Sequence, residues 1–374
     1  MKPIFKIVMG LGAICLLAAL ILYLINSPKT AEPFLIAGIV CVALGVRGVS
    51  ALKGFAYPIM IVGVVSTALI FPQYFVEING YKLSGLITPL IQLIMFGMGI
   101  TMNYKDFLGV FKAPKGVFVG ILSHFTIMPL LGFALASMSS FEPEIAAGMI
   151  LIGCAPNAVA ANVISYLAKA NLALSITLTS IATLLAPFLT PLLMKLLGGS
   201  FIEINVLDMM WDIMKMVILP ITLAIVLNEL LKDKIKWLNS VMPMVSMFGI
   251  AFIIIIVTAV GRESLLTVGP LLILLVLIHN LMGYTLGYWS ARLFGMNEKD
   301  CRTIAINVGM QNAGLSKGLA HGMGKLGTVG LAPMIYGPMM NISGSILASY
   351  WQNKPPLGEE NENESNKSEL NTSK

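Results

Sequence analysis

Gly309-Met310-Gln311-Asn312-Ala313-Gly314-Leu315-Ser316 lies inside an apolar span that runs from Arg302 to Ala320. A helix surrounded by lipid has no use for two adjacent amide side chains flanked by glycines. Hydrocarbon offers no hydrogen bonds, so a broken backbone survives there only when buried in protein or facing water. The stretch therefore reads as a helix interrupted at mid-membrane to make a polar site. Gly153-Cys154-Ala155-Pro156-Asn157-Ala158 has the same character. Two interrupted helices in corresponding places point to the binding site of a secondary transporter.

Composition agrees. The 374 residues are 57% hydrophobic and 11% charged, with mean hydropathy +0.87. Soluble domains carry about 25% charged residues, so the fold class is an all-α polytopic membrane protein. The net charge of +6 and pI near 9.0 reflect basic residues in short loops, a positive-inside bias rather than nucleic-acid binding. Cys15, Cys41, Cys154 and Cys301 lie in or beside apolar spans without a CxxC pair, which argues against a disulfide framework or a zinc site. An intramembrane enzyme would need paired acids, a His-rich metal site or a nucleophile with its base. The spans contain no HExxH or GxSxG, and the chain reads as a non-enzyme.

Ile7–Ile25 is apolar and is followed by Asn26-Ser27-Pro28-Lys29 rather than a small-residue cleavage site, so it reads as a span and not as a signal peptide. With Pro33–Val49 it forms an N-terminal hydrophobic hairpin within residues 1–54. Ten spans follow at about 55–75, 84–101, 116–138, 145–168, 171–197, 208–231, 241–261, 266–291, 302–320 and 327–351, near the ~20 residues a crossing needs. They make a transporter core over residues 55–352. Residues 353–374 are rich in Asn, Glu, Ser and Lys and read as a disordered cytoplasmic tail.

With the N-terminus inside, the cytoplasmic loops hold Lys2, Lys6, Arg47, Lys53, Lys105, Lys112, Lys115, Lys169, Lys232, Lys234, Lys236, Arg292, Lys299, Arg302 and Lys354. The opposite side holds only Lys29, Lys82, Lys195, Arg262, Lys317 and Lys325. This bias predicts a multi-pass protein of the plasma (inner) membrane, embedded in lipid, with both termini cytoplasmic.

The halves echo each other. His124 is followed by Leu131-Gly132-Phe133, and His279 by Leu286-Gly287-Tyr288. The two broken stretches come next, then Leu185-Ala186-Pro187 and Leu331-Ala332-Pro333. Five spans per half is an odd number, so the second copy enters the membrane inverted, as in transporters built from inverted repeats. At each break a downstream half-helix starts, near Ala158 and near Asn312. Helix starts favour an anion, and Asn157, Asn312 and Asn341 can donate to one. A small organic anion with a carboxylate or sulfonate head is the expected cargo. Inter-helix packing by Gln311 and Asn312 is the plainer alternative.

Gly153 to Pro156, Asn162 to Ala168, Ala173-Leu174-Ser175, Thr179-Ser180, His279-Asn280, Val308 to Asn312 and Asn341 to Ser345 together resemble the bile acid:sodium symporter family over about residues 55–352. The resemblance implies a panel and a core subdomain, crossed discontinuous helices, and sodium-coupled uptake of organic anions by alternating access. It also implies two sodium sites. Asn162, Ser175 and Thr179 match the first, where Ala161 stands for the family's serine and Asn307 for its glutamate. The second would use Asn307, the backbone about Val308 and Met310, Gln311, and His124 in place of a glutamine. Asn157-Ala158 replaces the family's Gly-Gly.

None of the eighteen acids falls at mid-membrane in the core. Losing a carboxylate removes the strongest attraction for a cation in a low-dielectric site. Sodium coupling is therefore expected to be weakened, reduced to one ion or replaced. His124 is the proton candidate, or else a neutral histidine hydrogen-bonding across helices. An arsenite-type efflux carrier, with Cys154 at the first break, is the alternative transporter. No feature assigns an oligomeric state.

Overall fold

The structure, a computed structural model, describes residues 3–49, 56–102, 109–231 and 236–354. Most of the expected tail lies outside the described residues, as do the loop residues Lys2, Lys53, Lys105, Lys232 and Lys234. The fold is all-α apart from a two-residue hairpin, β1 (Glu77–Ile78) and β2 (Tyr81–Lys82). Its turn residues Asn79 and Gly80 both have positive φ, as an Asn-Gly hairpin turn requires.

Apart from single turns at Gln73–Val76 and Gly109–Lys112, the described α-helices are α1 (Pro3–Leu24), α2 (Pro28–Val46), α3 (Ala56–Ile70), α4 (Ile87–Thr101), α5 (Pro114–Met138), α6 (Pro143–Cys154), α7 (Ala160–Leu167) and α8 (Leu172–Leu197). Then come α9 (Val206–Ile213), α10 (Leu219–Leu231), α11 (Lys236–Val260), α12 (Arg262–Leu293), α13 (Glu298–Gly309), α14 (Ala313–Gly322) and α15 (Leu331–Gln352). Eight described segments are long and apolar enough to cross a membrane, and the protein is an all-α polytopic membrane protein.

Several helices start ahead of the apolar runs because polar residues cap them. Asn171, Asn205 and Asn297 each accept from the backbone N–H three residues on, and Pro114 and Pro143 occupy first-turn positions. The span at 208–231 thus begins at Val206, and the one at 302–320 at Glu298. Between α9 and α10 a π-turn, Met214–Ile218, widens the helix. Pro220 cannot donate back along the helix, and the ladder loosens one turn ahead of it.

The chain forms two compact units. One comprises Met1–Ile100, Lys215–Ile273 and Gly314–Pro338. In it α1 and α2 run antiparallel, with Gly38 against Leu16 and Gly45 against Met9. α4 lies against α10 and α11, where Asn228 Nδ2 donates to the Ile100 carbonyl at 3.1 Å. The Arg262 guanidinium closes on the Leu69 carbonyl at 2.7 Å.

The other unit comprises Thr101–Met214, Leu274–Ala313 and Met339–Lys374. It contains α5 to α9, α13 and both helix breaks. At its edge, in the first turn of α13, Glu298 is held by Arg302 at 2.9 Å, Arg292 at 2.7 Å and the Tyr288 hydroxyl at 2.7 Å. The buried Arg302 also donates to the carbonyls of Trp351 and Lys354.

Two expected positions need correction. Lys317, inside the 302–320 span, was counted with the charges of the non-cytoplasmic side; it lies within α14 and is 1% exposed. Arg302 was counted as a loop residue and is buried in α13. Charge alone marks a residue as solvated, whereas packing of neighbouring helices decides whether it is.

Candidate ion and substrate site

The first broken span is α6, then residues 155–159, then α7. The second is α13, then residues 310–312, then α14. Ala155 precedes Pro156, which disfavours helical backbone at Ala155, and Ala155 is extended. Met310 is extended as well.

The two breaks meet. The Ala158 N–H donates to the Met310 carbonyl at 2.8 Å, and the Asn312 N–H donates to the Pro156 carbonyl at 2.8 Å. Asn157 and Gln311 are thereby opposed in an antiparallel bridge. This modifies one expectation. The N–H groups of Ala158 and Asn312, which lie in the breaks just before α7 and α14, are already committed to the other break. Donors for an anion must come from the following N–H groups or from side chains.

A buried helix end must find partners for its last carbonyls. At α6, Cys154 receives the Thr190 hydroxyl at 2.8 Å, and Ala155 receives His124 Nε2 at 2.9 Å. At α13, Asn307 faces His124 Nδ1 at 3.2 Å, Val308 receives Gln311 Nε2 at 2.7 Å, and Gly309 receives Asn280 Nδ2 at 2.8 Å. Each broken helix is thus capped by the histidine-bearing helix of its own half, α5 for the first and α12 for the second. The glycines before the breaks permit this approach. A Cβ on Gly153 would strike the Met128 carbonyl of α5, and one on Gly309 would strike the Tyr284 ring of α12.

Asn307 is the hub. Its Nδ2 donates to the Ser175 hydroxyl at 2.9 Å and to the Thr303 carbonyl at 3.0 Å. Because a carbonyl can only accept, that contact fixes which amide atom is nitrogen. Asn307 Oδ1 accepts from Asn157 Nδ2 at 2.6 Å and from Thr179 at 3.4 Å. Asn162 Oδ1 accepts from Ser175 at 2.8 Å and from Thr179 at 3.2 Å.

The structure therefore brings together Asn157, Asn162, Ser175, Thr179, Asn307, Val308, Met310, Gln311 and His124. Ala161 is buried and offers no side-chain oxygen. Asn341 stands half-buried on α15, two residues before Ser343, which donates to Asn280 Oδ1. Sequence reasoning missed the capping roles of Thr190 and Asn280. The His279-Asn280 pair, one helix upstream of the second break, was the available signal.

Two buried side-chain oxygens at the bridge, Asn157 Oδ1 and Gln311 Oε1, have no hydrogen-bond partner. Both amide nitrogens are tied to the end of α13, at Asn307 and Val308. Opposed residues of an antiparallel pair project to the same face. The bridge therefore presents two free acceptors on one side, beside the carbonyl ends of α6 and α13. Helix C-termini attract cations, and oxygen ligands suit a hard one. Cys154, by contrast, is one buried thiol with no metal-binding group of His, Cys, Asp or Glu among the described residues.

Residues 88–268 match the family model described as the sodium bile acid symporter family. The chain is 37% identical to an uncharacterized sodium-dependent transporter of Bacillus subtilis (strain 168), over 83% of this chain and 94% of that protein. It is 32% identical to the probable chloroplastic sodium/metabolite cotransporter BASS1 of Arabidopsis thaliana, over 71% of this chain and 66% of the relative. It is 31% identical to the ileal sodium/bile acid cotransporter of Oryctolagus cuniculus, over 62% and 68%.

Proposed function

Since the chain belongs to the sodium bile acid symporter family, whose members are transporters and not enzymes, we propose that it imports a small organic anion by sodium-coupled alternating access. The observation that carries this reading is the pair of unpartnered oxygens at the Asn157–Gln311 bridge. A cation there would complete both amides and gain from two helix C-termini. The half-helix starts of α7 and α14 have the opposite polarity and favour the anionic head of the cargo.

The site has no carboxylate, and a neutral oxygen set suits a monovalent ion better than calcium, which draws on carboxylate ligands. The neighbouring cluster of Asn162, Ser175 and Thr179 is closed on itself by the Asn307 Nδ2. That amide does the work a second sodium would do in drawing these oxygens together. The reading is therefore of one sodium held by Asn157 and Gln311, with Asn307 substituting for the other. Asn312 and Asn341 are proposed on the cargo side. The two capped breaks, one per half, support the inverted repeat, and the loop-charge bias supports cytoplasmic termini.

A second reading rests on His124. Both of its ring nitrogens face carbonyl oxygens, and a neutral imidazole carries only one N–H. An imidazolium would donate to both, against the cost of burying its charge. Uptake into proteoliposomes, with sodium replaced by choline at several pH values, separates the readings. Full sodium dependence without pH dependence supports sodium alone. A pH gradient that drives uptake in choline supports His124.

A further inference from the structure

We propose that Lys317 is the cationic partner of the cargo's anionic head group, an inference that rests on the organic-anion reading above. Lys317 lies four residues into α14 and is among the largest fully buried side chains of the described residues. It makes no hydrogen bond or ion pair among them. No Asp or Glu among the described residues is buried, so none of them is positioned inside the fold to neutralise it.

A lysine at a helix surface in lipid ordinarily extends its ammonium to the interface. Lys317 does not, because α14 is buried from Leu315 through Ala320. One residue on, a Cβ at Gly318 would meet Ile91 and Met216, so this part of the helix is closely packed by apolar groups. An uncompensated charge in such surroundings is costly to keep. Ionisable residues at membrane depth are functional by default. The start of α14 adds a positive helix end about 6 Å away along the axis, at 1.5 Å per residue. The ammonium and the helix end act in the same sense, toward an anion.

The charge count also bounds the cargo. Arg302, the other buried cation among the described residues, is committed to Glu298 and to backbone carbonyls. One free ammonium fits one carboxylate or sulfonate, so the cargo class is a small organic monoanion.

The test is thermal melting of the purified full chain in choline chloride and in saturating sodium chloride. Pyruvate, butyrate and benzoate are compared, each against its neutral amide. In the wild type at least one acid should raise the melting temperature more than its amide does. Lys317→Met should erase that preference, weakening acid binding about ten-fold or more, while the shift caused by sodium alone persists. Without ligand, Lys317→Met should melt at or above wild type, because an apolar stem replaces an unpaired charge. Lys317→Arg should retain a preference for the acid. A Met variant that still prefers the acid overturns the proposal, and so does one that melts well below wild type without ligand, which marks a structural lysine. If the wild type responds to sodium but to none of the acids, the organic-anion reading and the role of Lys317 fall together. If it responds to acids but not to sodium, sodium coupling falls and Lys317 stands.

Discussion

Asn157 donates its side-chain amide to the Asn307 amide oxygen at 2.6 Å, across the two helix breaks. The bond leaves Asn157 Oδ1 without a partner and aligns it with Gln311 on one face of the bridge. The breaks and the two unpartnered oxygens are thus a single construction, and each part constrains the next.

Asn307 is the place to alter ion affinity. In Asn307→Asp, the atom facing the Thr303 carbonyl becomes an oxygen, and the Ser175 hydroxyl loses a donor. Without sodium the variant should be less stable by about 1–3 kcal/mol, the cost of leaving buried polar groups unsatisfied. With sodium the carboxylate gains a counter-ion. The shift in melting temperature between choline and sodium should therefore exceed that of wild type. Equal shifts in both proteins would remove Asn307 from the ion site.

His124 holds one carbonyl from each broken helix. A neutral His124 donates to one of them, and the shorter contact is to Ala155; His124→Leu leaves that carbonyl buried and unpaired, at about 1–3 kcal/mol. His124→Gln keeps part of this capping and should fold. If a proton on His124 contributes to coupling, the Gln variant takes up cargo at a rate that no longer varies with pH.

Gly153→Ala tests the close approach of α5 and α6. The added methyl strikes the Met128 backbone carbonyl, which cannot rotate away. Overpacking of this kind costs about 1–3 kcal/mol, and transport should fall further as the cap on α6 is displaced. Gly10→Ala, in α1 and with nothing within 4 Å of the added methyl, should leave transport unchanged.

The fold was legible where composition and local chemistry decide it. Glycine, proline and amides inside apolar runs marked both breaks, because nothing else explains them in hydrocarbon. Helix starts were misplaced by two to four residues at Val206 and Glu298 because capping by Asn205 and Asn297 extends a helix beyond its apolar run. The bridge was not legible, since it joins residues far apart in the chain. Neither were the free oxygens of Asn157 and Gln311, because which amide atom is satisfied depends on rotamers set by the opposite break. Lys317 was counted with the non-cytoplasmic charges for a related reason: no local pattern tells a buried lysine from an exposed one.

Glu298 should impose an acid limit on stability. Burial opposes its ionisation, but hydrogen bonds from Tyr288 and Arg302 and the charges of Arg302 and Arg292 outweigh it and hold its pKa below the usual carboxylate range. A carboxyl whose folded pKa is depressed contributes stability above its unfolded pKa and loses it as pH falls through the folded one. Melting temperature should therefore drop as pH falls below about 4. Glu298→Gln should abolish this dependence and cost about 3 kcal/mol at neutral pH, because Arg302 is left buried without its counter-charge.

The most direct measurement is a sodium titration of the purified protein, melted at constant ionic strength with choline as the replacement ion. The expected result is a saturable rise in melting temperature with sodium in wild type, lost in Asn157→Ala and in Gln311→Ala and absent with choline. A wild-type protein that melts identically in sodium and choline, or an Asn157→Ala, Gln311→Ala double variant that keeps the full rise, would contradict a cation site at the meeting of the two breaks.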